Sequence, residues 1–137
     1  MTSHRTWLAL PLLAALGSNS AARPPAGPWD LNGHQLLEAP LDGSLADDLG
    51  PQQPQELRVM VSSRTAAAYM LGIAAGSEGA RWCRPAGQSG PPDVQALVAD
   101  LGALPDARLD ERASDLVVQA LAKRYPCKPA KPRRPSH

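Results

Sequence analysis

The chain has 137 residues, with 14 Lys and Arg against 13 Asp and Glu, two Cys, three Trp, two Tyr and no Phe. That length suits one domain, and without Phe the core has to come from Leu, Val and Ala. Charge is unevenly placed: residues 23–127 hold nine basic and thirteen acidic residues, a net −4, which argues against nucleic-acid binding, since that calls for basic patches with aromatics.

Residues 1–22 have the form of a secretory signal. Arg5 precedes a short apolar run, Trp7 to Gly17, and Ser20 and Ala22 satisfy the small-x-small rule for cleavage after Ala22. The run is too short for a bilayer span and contains Pro11. A buried N-terminal helix is the competing reading, disfavoured by the Pro-rich ARPPAGP that follows. No cysteine lies near the cut to carry a lipid, and no later segment is apolar enough to span a membrane. The expected product is an exported chain whose two cysteines meet an oxidising compartment. Its expected parts are a Pro-rich leader (23–30), a helical domain (31–127) and a basic Pro-rich tail (128–137).

In the helical domain, the first element is a short helix from about Gly33 to Glu38, with Asn32 as N-cap and Pro40 as its end. Residues 41–54, with Gly43, Gly50, Pro51 and Pro54, read as loop. From Gln55 to about Ala75 the chain lacks proline and predicts a long helix. Leu57, Val61, Arg64, Ala68 and Leu71 fall on one face, with Met60, Ala67 and Ile73 beside it. Its small residues suit close helix packing at the centre of a bundle, and Gly76 is the expected terminator. Residues 76–92 form a long loop. The next helix starts near Pro92 with Asp93 in its first turn and an apolar stripe of Val94, Leu97, Val98 and Leu101. A last helix is predicted over 106–125, from the recurrence of Leu109, Ala113, Leu116, Val117, Ala120 and Leu121. Pro126 stops it. The tail KPAKPRRPSH has no apolar face and reads as disordered or polyproline-like. The fold class is therefore all-α, a small bundle of four or five helices.

Cys83 lies in the long loop and Cys127 just past the last helix. If the last two long helices pack antiparallel, both cysteines fall at one end of the pair. A bond between them would contribute about 4 kcal/mol by chain entropy. The alternatives are two free thiols or a metal site. Metal is disfavoured because there is no CxxC and only His34 could join in the body. His34 alone, beside a short helix, reads as a surface or capping residue, since base catalysis needs a positioned partner. No GxSxG, HExxH or phosphate loop is present, so no catalytic, metal or cofactor residue is expected.

The loop Ser77 to Pro92 is long for a helix connection in a bundle. It carries Arg81, Trp82, Arg84 and Gln88, the candidate partner-binding residues. Trp and Arg dominate binding hot spots, but with so few aromatics Trp82 reads equally well as core.

Several pieces stand in one order: NGHQLLEAP, AAAYMLGIAAG, WCRPAG, ALP at 103–105, and ASDLVVQALAKRYPC. This order resembles the Tai-like immunity proteins, which protect bacteria from type VI secretion amidase effectors. The matching positions are Tyr69 with Gly72, Cys83 with Pro85, Pro105, and Pro126 with Cys127, across residues 31–127. Family members often carry two more cysteines, which would fall near Ala39–Pro40 and at Ala66. Both are absent together, as expected if they pair with each other and leave Cys83–Cys127 as the remaining disulfide. The resemblance implies an all-helical periplasmic protein, commonly a dimer, without catalysis of its own. It would bind a secreted cell-wall amidase and obstruct its cleft. The alternative is an exported, non-catalytic envelope-binding or structural module, which the basic tail suits better; an enzyme ranks last.

Overall fold

The side chain of Asn32 starts the first helix. Its Oδ1 accepts from the Gln35 amide at 2.9 Å, and Gln35 Oε1 accepts from the Asn32 amide at 3.0 Å. This reciprocal pair satisfies two donors that a helix start leaves free. The computed structural model describes residues 29–128; the signal, nearly all of the leader and the tail from 129 lie outside the described residues. Helix α1 runs Gly33–Asp42, which corrects the expectation that Pro40 ends it. A proline in the last turn costs the helix one N–H donor, a loss that α1 accommodates at Pro40. The true stop is Gly43, whose φ of 77° suits a residue without Cβ. The carbonyls around Pro40 are taken by the next helix, with Ser62 Oγ donating to Ala39 O at 2.6 Å and Ser63 Oγ to Pro40 O at 3.3 Å. Ser62 Oγ also accepts from the Leu45 amide at 3.0 Å, which fastens the 43–54 loop.

Helix α2 runs Gln55–Ser77, straight through Gly76. Its buried residues are Ser62, Ala66, Met70, Ala74 and Ser77, a row at four- and three-residue spacing. The expected face is therefore corrected: Met60, Arg64 and Ala68 are exposed, and Leu57, Val61 and Leu71 only half-buried. Apolar residues surround this helix, so periodicity did not pick out one side. Packing picks the narrow side, where Ser and Ala let neighbours approach closely.

Helix α3 runs Val94–Gly102, with Asp93 as N-cap accepting from the amides of Gln95 and Ala96. Leu97 and Leu101 are fully buried. The predicted last helix is two: α4, Asp106–Leu109, and α5, Ala113–Arg124. Between them the backbone turns out to pair with the chain ahead of α1. Gly33 N donates to Glu111 O at 3.1 Å and Ala113 N to Leu31 O at 2.8 Å, around an antiparallel bridge of Asn32 with Arg112. The Glu111 carbonyl and the Ala113 amide thus find partners outside the helix, which is why a continuous apolar period does not yield a continuous helix here. The crossing is tight: a Cβ on Gly33 would sit 2.8 Å from Leu116 Cδ1 and 2.9 Å from Leu109 O.

Helix α1 packs on α2, and both α2 and α3 pack on α5. The core is Leu36, Met70, Leu97, Leu101, Leu116, Val117 and Leu121, with Trp82 the largest side chain in it. Five helices, no strand among the described residues and one disulfide make the fold all-α. The disulfide joins Cys83 to Cys127 across 44 residues, with Cα atoms 4.7 Å apart.

Candidate functional site

The loop after α2 is built around Trp82. At the end of α2, Ser77 Oγ donates back to Ile73 O at 2.7 Å, and Glu78 turns extended. Gly79 takes φ of 80° and its amide donates to Trp82 O at 2.8 Å, closing a tight turn. The turn drives Trp82 inward until 1% of it remains exposed, with Nε1 donating to Ala74 O at 2.9 Å. A buried indole needs such an acceptor. Its ring meets that of Tyr125 at 5.8 Å between centroids, tilted by 49°.

Cys83 follows, and its amide donates to Tyr125 O at 3.0 Å. The disulfide to Cys127 then fastens the loop to the end of α5. Arg84 fastens it a third time. Its guanidinium forks onto Glu78, Nε to Oε1 at 2.8 Å and Nη2 to Oε2 at 2.7 Å, and Nη1 donates to Gly90 O. The same group lies 5.9 Å from the centre of the Trp82 ring, close enough for cation–π attraction. The fork to Arg84 holds the Glu78 carboxyl below its ordinary value of 4.5, and Glu78 raises Arg84 in turn. Beyond Arg84, the Gln88 amide donates to Pro85 O at 3.2 Å and Gly87 takes φ of 83°, a type II turn geometry that puts Gln88 at an exposed tip.

The four residues singled out from sequence therefore divide. Arg81 and Gln88 are exposed. Trp82 is core and shapes the surface from beneath, while Arg84, about a third exposed, is engaged within the loop. Arg81 and Arg84 also line different depressions. Arg81 borders a small one of about 230 Å³ with Glu111, Asp115, Val118 and Gln119. Arg84 borders a groove of about 710 Å³ over the disulfide, facing Arg124, Tyr125, Pro126 and Lys128. Sequence reasoning missed Glu78 as a loop holder, since a contact six residues away follows no helical or strand period.

His34 stands apart from this loop. Its Nε2 lies 4.0 Å from Asp106 Oδ1 and 3.8 Å from Asp110 Oδ1, with both carboxylates largely in water. No group of three or more His, Cys, Asp or Glu placed to hold a metal ion occurs among the described residues, and none of their helices is long and apolar enough to cross a membrane.

No curated protein matches the chain. A family model does: residues 32–127 match the Rap1a immunity proteins. The resemblance read from the motif order meets this finding at the level of type VI secretion immunity. The matched segment begins at the N-cap of α1 and closes on the disulfide, and the chain belongs to the Rap1a immunity proteins, a type VI secretion immunity family.

Proposed function

We propose that this is an exported, periplasmic immunity protein that binds a type VI secretion peptidoglycan amidase and blocks its cleft with the face built by residues 78–92. The observation that carries this reading is the threefold fastening of that loop, through Trp82, Cys83–Cys127 and Arg84–Glu78. A loop ordered before binding loses little entropy on binding, as a tight inhibitor requires. Arg81 and Gln88 are exposed polar groups of this loop, suited to carboxylates and backbone groups in a peptide-cleaving groove. The signal-like residues 1–22 support export, and the order of motifs through Pro126–Cys127 supports an amidase as the target. The resemblance also favours a homodimer.

The test is binding, by calorimetry, to a secreted amidase encoded beside this chain, together with inhibition of that amidase. The parent should bind tightly, and Arg81→Ala with Gln88→Ala should weaken binding by about tenfold or more, the loss of one or two interfacial contacts. A parent that neither binds nor inhibits the amidase refutes the amidase reading. Parent-like binding by the double variant refutes the site. The second reading, an envelope-binding module, draws on the basic tail 128–137. It predicts retention on isolated cell envelopes that is lost on truncation after Lys128.

A further inference from the structure

We infer that the Cys83–Cys127 bond is a redox lock on the partner-binding face, so that the chain is competent only after oxidation. This rests on the reading of residues 78–92 as that face.

The groove over the disulfide has two walls that the sequence keeps far apart. One is Cys83, Arg84, Pro85 and Ala86; the other is Arg124, Tyr125, Pro126 and Lys128. The walls are not held equally. On the first, Trp82 is buried and Arg84 is forked onto Glu78. On the second, α5 ends at Arg124, and the Tyr125 amide makes the last helical bond, to Leu121 O at 2.8 Å. After Tyr125, the residues Pro126, Cys127 and Lys128 are all exposed. Among the described residues, the backbone–backbone bonds of the loops and turns include none to these three. The disulfide is what keeps them against the loop.

The bond also lies away from the core. Neither cysteine belongs to the buried cluster, Cys83 being half-buried and Cys127 exposed. A dithiol reductant can therefore reach the bond without opening the helices. Its thiolate attacks one sulfur, its second thiol resolves the mixed disulfide, and two electrons and two protons pass to Cys83 and Cys127. These end as thiols while the reductant becomes a disulfide. Residues 126–128 then leave, the outer part of one wall of the groove goes with them while Arg124 and Tyr125 stay, and the remaining loop gains freedom that binding has to remove. The bundle itself keeps its packing through Trp82, Tyr125 and the helix contacts. In a reducing compartment the chain would be folded and weak; oxidation after export would complete the surface.

The experiment uses the chain oxidised, reduced with a phosphine and, separately, as Cys83→Ser/Cys127→Ser. Hydrogen exchange and circular dichroism are read without any partner. Reduction is expected to raise exchange over 84–90 and 127–128, while helicity, protection in α2 and α5 and the bond of the Cys83 amide to Tyr125 O persist. Binding to the cognate amidase is then expected to weaken about tenfold or more, with the double serine variant matching the reduced chain. Unchanged exchange at these segments, or equal affinity of oxidised and reduced chains, would overturn the lock. So would loss of helicity on reduction, which would make the bond a staple of the whole fold. Failure of the oxidised chain to bind any amidase would instead count against the proposed function, while the exchange result would still stand or fall alone.

Discussion

Two places in this molecule join distant segments outside the helices, and they are built from different materials. At the crossing of residues 31–33 with 111–113, backbone does the joining: Gly33 N to Glu111 O, Ala113 N to Leu31 O, and a glycine with no room for a Cβ. At the loop after α2, side chains do most of it: an indole in the core, a disulfide, and a guanidinium forked onto a carboxylate, beside one backbone bond from Cys83 N to Tyr125 O. The backbone crossing fixes how α1 sits against α4 and α5 and leaves little to adjust. The side-chain joint is made of separable parts, each answering to a different condition, which suits a surface that has to be set for a partner.

Substitutions can sharpen this contrast. The largest effect is expected from Trp82→Ala, which empties the core beneath the loop and takes away the acceptor-bound indole. It should lower unfolding free energy by about 4 kcal/mol, read by urea titration, and unfasten the loop at the same time. An effect under about 1 kcal/mol would mean that the indole is not the keystone of that joint. Next comes Gly33→Ala, where the new methyl meets Leu109 backbone and Leu116 at 3.0 Å or less. Overpacking of this kind costs about 2 kcal/mol. It should perturb the amides of Gly33 and Ala113 while leaving the Cys83 amide protected. A loss of protection at Cys83 as well would show that the two joints are coupled.

The smallest effect is acid. Glu78 is depressed by its bond to Arg84, so its contribution is present above its ordinary value of 4.5 and fades as pH falls below it. Protection factors over residues 84–90 should therefore decline below that pH while those of Gly33 and Ala113 hold. A parallel decline at both joints would end the distinction between them. Glu78 and Arg84 are each about a third exposed, so solvent screening keeps this effect modest.

The same contrast explains what could be read from the sequence. Residues with special chemistry announced themselves: the two cysteines, Trp82 in its loop, Asn32 as a cap and the stop at Pro126. The disulfide and the all-helical architecture stand as expected. What stayed hidden was decided by backbone and by packing. Nothing in the apolar period of 106–125 tells that the backbone around Arg112 will pair with Leu31 and Gly33 at the start of α1. The choice of the Ser62–Ala66–Met70–Ala74 row over the larger Leu57–Val61–Leu71 side depends on how closely neighbours can approach. At the candidate site, the loop and its exposed polar groups were legible. The commitment of Arg84 to Glu78 and Gly90 was not, because it follows from the turn that buries Trp82.

The disulfide also has a mechanical consequence. Cys83 and Cys127 close a covalent ring that contains α3, α4 and α5, while α1 and α2 lie outside it. Tension applied between residues 29 and 128 can draw out α1, α2 and their loop. It cannot extend the ring: its 44-residue separation conceals ~150 Å of contour at ~3.4 Å per residue. A pore that admits one extended strand would take the chain up to Cys83 and stall there. Until the bond is cut, two strands must enter abreast.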